Sequence, residues 1–351
     1  MNINKSKNVK DNNKLVFVSV IVPMYNEELY INNCLLSLIN QDYPKDYYEI
    51  IVIDGNSTDN SREIINSLIK KYHSIKIYDN LKRITPISFN IGIEKSRGEI
   101  IIFVGAHAIC EKDYISQCVY LLNNSDASNV GGIQNAIGSN YTSNAVSYAM
   151  TSPFGVGNAY YHFSKKERYV DSVWGGAFKK ETLEKLNGFN ENYIKMQDYE
   201  LNYRLRKMGG KILLSPKIRC NYFVRKSLNI FWKQYFIYGM WKVKGIVDHP
   251  DLLAFRHLIP PTFVIALLFS IILLFCKLKI GVIIPASYII INLLFSAKIS
   301  IKKGFKYFII LPVVFAIMNI SWGVGFLFGL KKYGMPKINT KIIINSFNNI
   351  K

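Results

Sequence analysis

Three long uncharged stretches near the C-terminus constrain the structure of this chain more than any other feature. They run from Leu258 to Cys276, from Ile280 to Ala297 and from Tyr307 to Leu330. A helix needs about 20 apolar residues to cross a bilayer, and each stretch lies near or within that range. A buried helix of a soluble protein is the alternative for one such stretch, but three in succession favour a membrane region. We therefore predict a membrane region of about three apolar helices over residues 258–335.

The charges between these stretches indicate how the chain crosses the membrane. The connector KISIKKGFK is rich in Lys, and Lys-rich connectors stay on the cytoplasmic side. A cytoplasmic N-terminal domain followed by two crossings places this connector inside. A third crossing would then put Lys331 and Lys332 outside, against the positive-inside rule. Two alternatives stay open: the tail 336–351 is outside regardless, or one block is re-entrant or lies along the interface.

The net charge of the chain also indicates a membrane as its partner. The chain carries 44 Lys and Arg against 24 Asp and Glu, a formal net charge of +20. Nucleic acid or an anionic membrane could attract such a chain, but we find neither zinc-finger spacing nor an RNA-recognition signature. The basic residues crowd the apolar stretches, so we expect a membrane partner and no nucleic acid. A generally Lys-rich composition is the alternative, and it fits residues 1–14, predicted to be a disordered tail.

The cysteines and the N-terminus indicate the compartment. The five cysteines are Cys34, Cys110, Cys118, Cys220 and Cys276. They are scattered and include no CxxC pair, which favours a reducing compartment over a disulfide framework. The N-terminus lacks the apolar core of a signal peptide. We therefore expect a multi-pass protein of the cytoplasmic (inner) membrane whose first domain faces the cytoplasm.

The first two-thirds of the chain alternates strand-like and helix-like segments. VFVSVIVPMYN, YEIIVIDG, SIKIYDN and GEIIIFVGAHA have the composition of buried strands. The segments between them have apolar residues at helical spacing. Strands that alternate with helices predict parallel βαβ units in a doubly wound α/β sheet. We place this domain at residues 15–225, with its ligand beyond the carboxyl ends of the strands.

Polar residues follow the predicted strands at these ends. Asn26 and Glu27 follow the first strand, Asp54 the second and His107 the fourth, and no GxGxxG dinucleotide motif follows the first strand. Asp54 could accept hydrogen bonds from a ribose or a base, although DGNSTDN is also good turn chemistry. A half-buried histidine at a strand end is the alternative interpretation of His107.

Five segments in order resemble the family-2 glycosyltransferases with the GT-A fold. They are VSVIVPMYNEE, EIIVIDGNSTDNS, RGEIIIFVGAHA, WGGAFKKETLEKLNGFNE and QDYELNYRLRKMGGKI, and the resemblance covers roughly residues 16–225. The GAHA, GGAF and YGMW segments are most similar to succinoglycan-type exopolysaccharide glycosyltransferases. The resemblance implies a Rossmann-like, mostly parallel sheet flanked by helices. It also implies an inverting enzyme that transfers a sugar from a nucleoside diphosphate sugar, expected to be a UDP-sugar.

The resemblance also implies a role for each matching position. The donor-binding positions are Pro23, Tyr25, Asn26, Glu27, Asp54, Gly55, Ser57, Asp59, Arg83 and Asn90. The acceptor-binding positions are Gly175, Gly176, Gln234 and Trp241, of which the last two match a QxxRW-like segment only loosely. Asp198, in QDYELNYRL, matches the family's general base, although Gln197 replaces the usual Glu before it.

One departure from the family pattern concerns a metal. The family's DxD motif follows strand four, where this chain reads Gly105-Ala106-His107. His107 is therefore the implied ligand of Mg²⁺ or Mn²⁺, which neutralises the leaving diphosphate. Three interpretations stay open: His107 and the donor phosphates hold the metal, a Lys or Arg replaces it, or the chain is a weakly active or non-catalytic subunit of a polysaccharide-assembly complex.

The segment LNIFWKQYFIYGMWKVKGIV, within residues 226–257, interleaves aromatic residues and Lys before the first apolar block. This pattern is typical of an interfacial helix, with a plain amphipathic linker as the alternative. An interfacial helix would bring the active site to the headgroups, so we expect a polyprenyl-diphosphate-linked acceptor. Other polysaccharide-assembly proteins are further candidate partners. A processive polysaccharide synthase would need more membrane helices and a clear QxxRW.

Overall fold

The computed structural model describes residues 15–157 and 160–337 of the chain. In this part, a sheet flanked by helices is followed by one long helix and then by apolar helices. The predicted tail 1–14, and the part of tail 336–351 after residue 337, lie outside the described residues.

The described strands form one mixed sheet. They are β1 (Val18–Met24), β2 (Tyr48–Asp54), β3 (Ile75–Asp79), β4 (Ile100–Phe103), β5 (Ala108–Cys110), β6 (Asn129–Ile137), β7 (Arg168–Tyr169), β8 (Ala177–Lys179) and β9 (Ile212–Phe223). Their order is β3-β2-β1-β4-β8-β6-β9-β5, with β7 paired to β9. The first four strands are parallel, and β8 then pairs antiparallel with β4 and β6. The sheet is therefore parallel in its first half and mixed in its second.

The central strands follow from their composition. β1, β2 and β4 are Val- and Ile-rich and almost completely buried, as expected for parallel strands covered by helices on both faces. The predicted connecting helices are present as α1 (Ile31–Ile39), α2 (Ser61–Ile69) and α3 (Thr85–Lys95). The carboxyl ends of β1, β2 and β4 consequently meet at one edge, where the polar loops gather.

The segment GEIIIFVGAHA is not one strand, and in this respect the prediction was wrong. β4 ends at Phe103, and the N–H of Ala108 donates to the carbonyl of Gly105 at 3.0 Å, which closes a tight turn. The chain then enters β5, which pairs with β9 at the opposite edge of the sheet. The turn brings His107 beside the end of β9, where its carbonyl accepts from the N–H of Phe223 at 3.3 Å.

The remaining α-helices of the N-terminal domain are α4 (Tyr114–Asn124), α5 (Tyr141–Met150), α6 (Pro153–Val156), α7 (Lys180–Lys185) and α8 (Gln197–Lys207). A buried ion pair holds α8 in place. The Arg204 guanidinium donates to both oxygens of Glu200, at 2.7 and 2.9 Å, and to the carbonyl of Gly188 at 2.8 Å. Because Glu200 is 1% exposed, this bidentate pair fixes the first turn of α8 against the preceding loop.

The predicted interfacial segment is a single helix, α9 (Leu228–Asp248). The apolar helices follow as α10 (Ile259–Phe275), α11 (Ile283–Lys303), and α12 (Leu311–Ala316), which continues through a π-helical turn into α13 (Trp322–Tyr333). Three stretches of the described chain are helical, long and apolar enough to cross a membrane: Phe255–Phe275, Lys279–Lys303 and Leu311–Tyr333. They match the three predicted apolar blocks.

Helices α9 and α13 run side by side in the same direction. The Ser321 hydroxyl donates to the carbonyl of Trp232 at 2.6 Å, and twelve residues further along α13 the ring of Tyr333 lies 6.1 Å from that of Trp241. Between these points, a Cβ on Gly325 would lie 2.0 Å from the carbonyl oxygen of Phe236. The two backbones therefore touch directly, as small residues allow between packed apolar helices.

Candidate active site

The loops that follow β1 and β2 are joined by hydrogen bonds. The backbone N–H of Asn26 donates to Ser57 Oγ at 3.0 Å, and Asn26 Oδ1 accepts from the N–H of Thr58 at 2.8 Å. The N–H of Glu28 donates to Asp59 at 3.1 Å. A Cβ on Gly55 would meet the carbonyl of Met24 at 3.2 Å, so glycine allows the loops to approach this closely. Predicted donor-loop residues from two separate segments thus form one structural unit.

Asp54 is the internal anchor of this unit. It is 0% exposed, and one carboxylate oxygen accepts from the N–H and the hydroxyl of Ser57, at 3.0 and 2.7 Å. The other oxygen accepts from Arg62 at 2.8 Å, and Arg62 also pairs with Asp79 at the end of β3. In this conformation Asp54 shapes the loop from within, and its direct contact with a nucleoside stays a prediction.

The guanidinium of Arg83 lies over the ring of Tyr25 at the outer edge of this unit. The Arg83 guanidinium lies 5.2 Å from the Tyr25 ring centroid, and Tyr25 is 45% exposed. Both flat groups can stack on an aromatic base. The structure therefore brings together two predicted donor residues that are 58 positions apart in sequence.

His107 is oriented by a carboxylate. Its Nδ1 lies 3.0 Å from Glu27 Oε1, and both side chains are about one-fifth exposed. A carboxylate on Nδ1 directs the lone pair of Nε2 outward, which is the usual arrangement of a metal-binding histidine. Three or more His, Cys, Asp or Glu side chains do not gather into a metal cage anywhere in the described ranges. A divalent ion held by His107 would therefore have to take most of its other ligands from a bound diphosphate.

Gly105 leaves room in place of the family's first carboxylate. A Cβ on Gly105 would lie 3.4 Å from the nearest atom of the Trp174 ring. Trp174 also lies edge-on to Tyr222, at 6.1 Å between ring centroids. The indole of Trp174 therefore borders the space that a carboxylate at position 105 would enter.

A row of side chains leads from His107 to helix α9. The Tyr222 ring lies 4.8 Å from the His107 ring, and burial raises the pKa of Tyr222 while Arg225 and a hydrogen bond from Gln234 oppose that shift. Gln234 in turn donates to the Tyr238 hydroxyl at 2.7 Å. Gln234 and Tyr238 are four residues apart and share one face of α9.

Asp198 lies at the far end of this row. It is the second residue of α8 and is half-buried, and one of its oxygens accepts from the N–H of Tyr199 at 2.9 Å. Burial raises the pKa of Asp198, whereas hydrogen bonds from the helix N-terminus and the charge of Lys242 act in the opposite direction. The charge of Asp198 adds to the raised pKa of Tyr238, after the larger effect of burial. Asp198 therefore lies near enough to Tyr238 for its charge to act on the end of the row that starts at His107.

Other predicted site residues have structural roles in this conformation. Gly175 and Gly176 adopt φ values of 65° and 106°, and a Cβ on Gly175 would lie 2.7 Å from the carbonyl of Phe103. Asn90 clamps a loop, since its amide donates to the carbonyl of Phe189 and accepts from the N–H of the same residue. Trp241 packs between Tyr193 and Tyr333. Pro23 lies within β1. Ligand contacts stay predictions for all of these residues: Gly175, Gly176, Asn90, Trp241 and Pro23.

Lys242 is the residue that the sequence interpretation missed. It lies on α9 four residues after Tyr238, and its Nζ lies 3.6 Å from the centroid of the Tyr199 ring. It is 9% exposed. The only sequence signal was its place in the row Gln234, Tyr238 and Lys242 at spacing i, i+4, i+8.

Comparison with known proteins identifies the family. The model of glycosyl transferase family 2 matches residues 19–186. A dolichyl N-acetyl-alpha-D-glucosaminyl phosphate 3-beta-D-2,3-diacetamido-2,3-dideoxy-beta-D-glucuronosyltransferase of Methanococcus voltae is 32% identical over 324 residues, 90% of this chain and 98% of the relative. This chain belongs to glycosyltransferase family 2. The predicted family is thereby confirmed, and the protein is an enzyme of the glycosyltransferase class.

Further comparisons agree with this family-2 glycosyltransferase assignment. The succinoglycan biosynthesis protein ExoA of Rhizobium meliloti is 25% identical over 244 residues, 69% of this chain and 73% of the relative. The mannosyltransferase PcManGT of Pyrobaculum calidifontis, solved with GDP-Man and Mn²⁺, has a TM-score of 0.58 at 19% identity and covers 86% of each chain. At that identity the likeness supports the GT-A fold and no more. The fold and the exopolysaccharide-type resemblance were both predicted correctly.

Proposed function

We propose that this family-2 glycosyltransferase moves a sugar from a nucleoside diphosphate sugar to a hydroxyl of a lipid-linked acceptor, with inversion at the anomeric carbon. The observation that carries the proposal is the unbroken row of contacts at the edge of the sheet. It runs from the loop of Asp54 through Glu27, His107 and Tyr222 to Tyr238, and the charge of Asp198 acts on Tyr238. A donor and an acceptor that meet along this row would both lie within reach of named groups.

The donor side of the site is built for a nucleotide. The exposed pair of Tyr25 and Arg83 would stack on the base, and the loop held by Asp54 would support the ribose. The diphosphate would then lie near His107, whose Nε2 would hold Mg²⁺ or Mn²⁺ while Glu27 orients the ring. When bound, such an ion neutralises the charge that develops on the leaving diphosphate.

On the acceptor side, Asp198 would accept the proton of the attacking hydroxyl. Partial burial raises the pKa of Asp198 above the ordinary aspartate value, which improves a carboxylate as a general base. The hydroxyl oxygen bonds to the anomeric carbon as the bond from that carbon to the diphosphate oxygen breaks. This single displacement inverts the configuration, and the proton ends on Asp198.

Two observations support a lipid-linked acceptor. The relative from Methanococcus voltae carries a dolichyl phosphate substrate in its name, and α9 in this chain connects the site to the apolar helices. Tyr238 and Lys242 of α9 contact or adjoin the site while the opposite side of α9 packs on α13. An acceptor anchored in the bilayer would therefore approach Asp198 along α9.

A donor panel tests the proposed function. Purified protein in detergent is given UDP-, GDP- and other nucleoside diphosphate sugars, and release of the nucleoside diphosphate is measured with and without a polyprenyl-phosphate-linked sugar. We expect one donor class, UDP-sugars by the sequence prediction, to give release that the acceptor accelerates. NMR of the product should show the anomeric configuration inverted. A protein that turns over none of these donors would contradict the proposal.

We also propose that the chain crosses the membrane twice and that its third apolar block lies along the membrane surface. Helix α9 is tied to the catalytic domain near both ends, by Asn140 to the carbonyl of Lys226 and by Tyr193 to Asp248 at 2.6 Å. Because α13 runs beside α9, α13 shares its orientation. The end of α11 and the connector to α12 contact the catalytic domain too: Lys303 lies 5.3 Å from the Tyr148 ring, and the Tyr141 hydroxyl donates to the carbonyl of Lys306 at 2.5 Å. This arrangement keeps Lys331 and Lys332 inside, as the positive-inside rule favours.

Cysteine labelling distinguishes this topology from three crossings. Cys276, in the turn between α10 and α11, is exposed, whereas the other four cysteines are buried. We expect a membrane-impermeant maleimide to label Cys276 from outside intact cells. In the double variant Cys276→Ser/Lys331→Cys, we expect labelling only after the cells are opened. Labelling of position 331 in intact cells would indicate a third crossing.

A further inference from the structure

Lys242 is a buried cation without a counter-ion at ion-pair distance. Its side chain lies against the face of Tyr199, and no carboxylate of the described chain lies within 4.0 Å of its ammonium. It also makes no hydrogen bond to any group in the described ranges. A buried charge that lacks a partner is costly to a fold. Burial lowers the pKa of Lys242 to about 7, the charge of Arg256 acts in the same direction, and the charges of Asp198 and Asp171, beyond ion-pair distance, oppose the shift.

Arg256 interacts with the same tyrosine. A hydrogen bond and the positive charge of Arg256 lower the pKa of Tyr199, against the larger effect of burial, which raises it. Arg256 also lies 3.6 Å from Asp171, which is shared with Arg206 at 3.5 Å. The carboxylate of Asp171 therefore pairs with both Arg206 and Arg256, and Lys242 adds a third basic group. The cluster has an excess of positive charge beside Asp198.

The position of this cluster relates it to both the base and the membrane. Tyr199 directly follows Asp198 in α8, so the cations border the residue next to the proposed base. Arg256 is the second residue of the first apolar stretch, Phe255–Phe275. In the proposed topology the cluster therefore lies at the depth of the lipid headgroups.

We propose that Lys242 and Arg256 bind the phosphate that joins the acceptor sugar to its lipid. This inference rests on the proposed function, because it assigns a subsite to the acceptor of that reaction. The phosphate supplies the counter-ion that Lys242 lacks, through charge-assisted hydrogen bonds. It anchors the acceptor so that the first sugar after the phosphate faces Asp198. Lys242 is thus a residue of acceptor specificity that distinguishes a charged lipid carrier from a neutral glycolipid.

Binding of sugar-free lipids tests the site without knowledge of the acceptor sugar. The probes are a polyprenyl monophosphate and the matching neutral polyprenol, titrated against the full-length protein in neutral detergent. We expect wild type to bind the phosphate at least tenfold more tightly than the alcohol. Lys242→Met should reduce this preference by roughly tenfold to a hundredfold, the usual effect of removing a hydrogen bond to a charged group. Lys242→Arg should restore part of it.

Two further variants make the test specific. Lys233→Met changes an exposed lysine on the same helix and should leave the preference unchanged. Arg256→Gln should weaken phosphate binding independently of Lys242→Met, and it decides the question if the methionine variant does not fold. An anionic phospholipid in the same detergent provides a competitor. Competition by that phospholipid at equal concentration would overturn the assignment to the acceptor in favour of a general lipid headgroup site.

The outcomes separate this inference from the proposed function. A wild-type protein without preference for the phosphate, or a Lys242→Met variant that keeps the full preference, overturns the phosphate site even if donor turnover is normal. Absence of donor turnover in the panel contradicts the glycosyltransferase mechanism instead, whatever the lipid binding shows.

Discussion

Asp198→Asn should reduce sugar transfer by roughly 10²–10⁴-fold, the usual contribution of a general base. Asparagine keeps the shape of the side chain and can still accept the hydrogen bond from the N–H of Tyr199, but it cannot take a proton at neutral pH. Partial burial raises the pKa of Asp198, so the fold disfavours its charged form. The neutral amide removes that cost, and the melting temperature should not fall. The loss should appear in kcat, with little change in the KM of the donor.

The pH dependence of the transfer rate provides a second test of Asp198 as the general base. A base must be deprotonated to act, so the wild-type rate should fall as pH is lowered through a pKa above the ordinary aspartate value. The residual rate of Asp198→Asn should lack this acid limb. Asp46→Asn, at an exposed position in a surface turn, is the matched control and should behave as wild type. Full activity in Asp198→Asn would end the assignment of this residue as the base.

His107→Ala should reduce kcat by roughly 10²–10³-fold, the usual cost of losing one stabiliser of transition-state charge. Glu27→Gln should have a smaller effect, roughly 10–100-fold, because Glu27 acts by orienting the imidazole through Nδ1. In both variants the concentration of Mn²⁺ that gives half-maximal rate should rise. The measurement is the initial rate of nucleoside diphosphate release as a function of added Mn²⁺, with EDTA as the zero point.

Glu28→Gln is the matched control for the histidine series. Glu28 lies in the same loop, but its carboxylate accepts a hydrogen bond from the backbone of Asn60, which the oxygen of a glutamine can also accept. Glu28→Gln should therefore leave the rate and its dependence on Mn²⁺ unchanged. Retention of the wild-type rate by His107→Ala at every Mn²⁺ concentration would contradict the role of His107 at the leaving diphosphate.

The first half of the sheet could be predicted from the sequence because its information is local. Each of β1, β2 and β4 is a short Val- and Ile-rich run, and β1 and β2 are each followed by a segment at helical spacing. The polar residues after the strands were identified for the same reason. The loops after β1 and β2 form one unit because the two strands are parallel neighbours and their carboxyl ends meet at one edge of the sheet. The hydrogen bond from Asn26 to Ser57 is an example.

The second half depended on pairing between distant segments. β6 lies between β8 and β9, and neither pairing leaves a local trace in the sequence. The break of GEIIIFVGAHA at Gly105 was missed since the run continues to look like a buried strand. Lys242 looked like one more interfacial lysine, because its burial arises only when α9 packs against Tyr199. The orientation of the third apolar block likewise depends on the glycine contacts between α9 and α13.

A structure of the Asp198→Asn variant with its nucleotide sugar and Mn²⁺ would test the central claim most directly. The claim is that the loop of Asp54, His107 and residue 198 border one substrate. We expect the base beside Tyr25 and Arg83, the diphosphate beside His107, and the anomeric carbon facing the amide of residue 198 across a space for one hydroxyl. A nucleotide sugar bound in a cavity that residue 198 does not line would contradict the account.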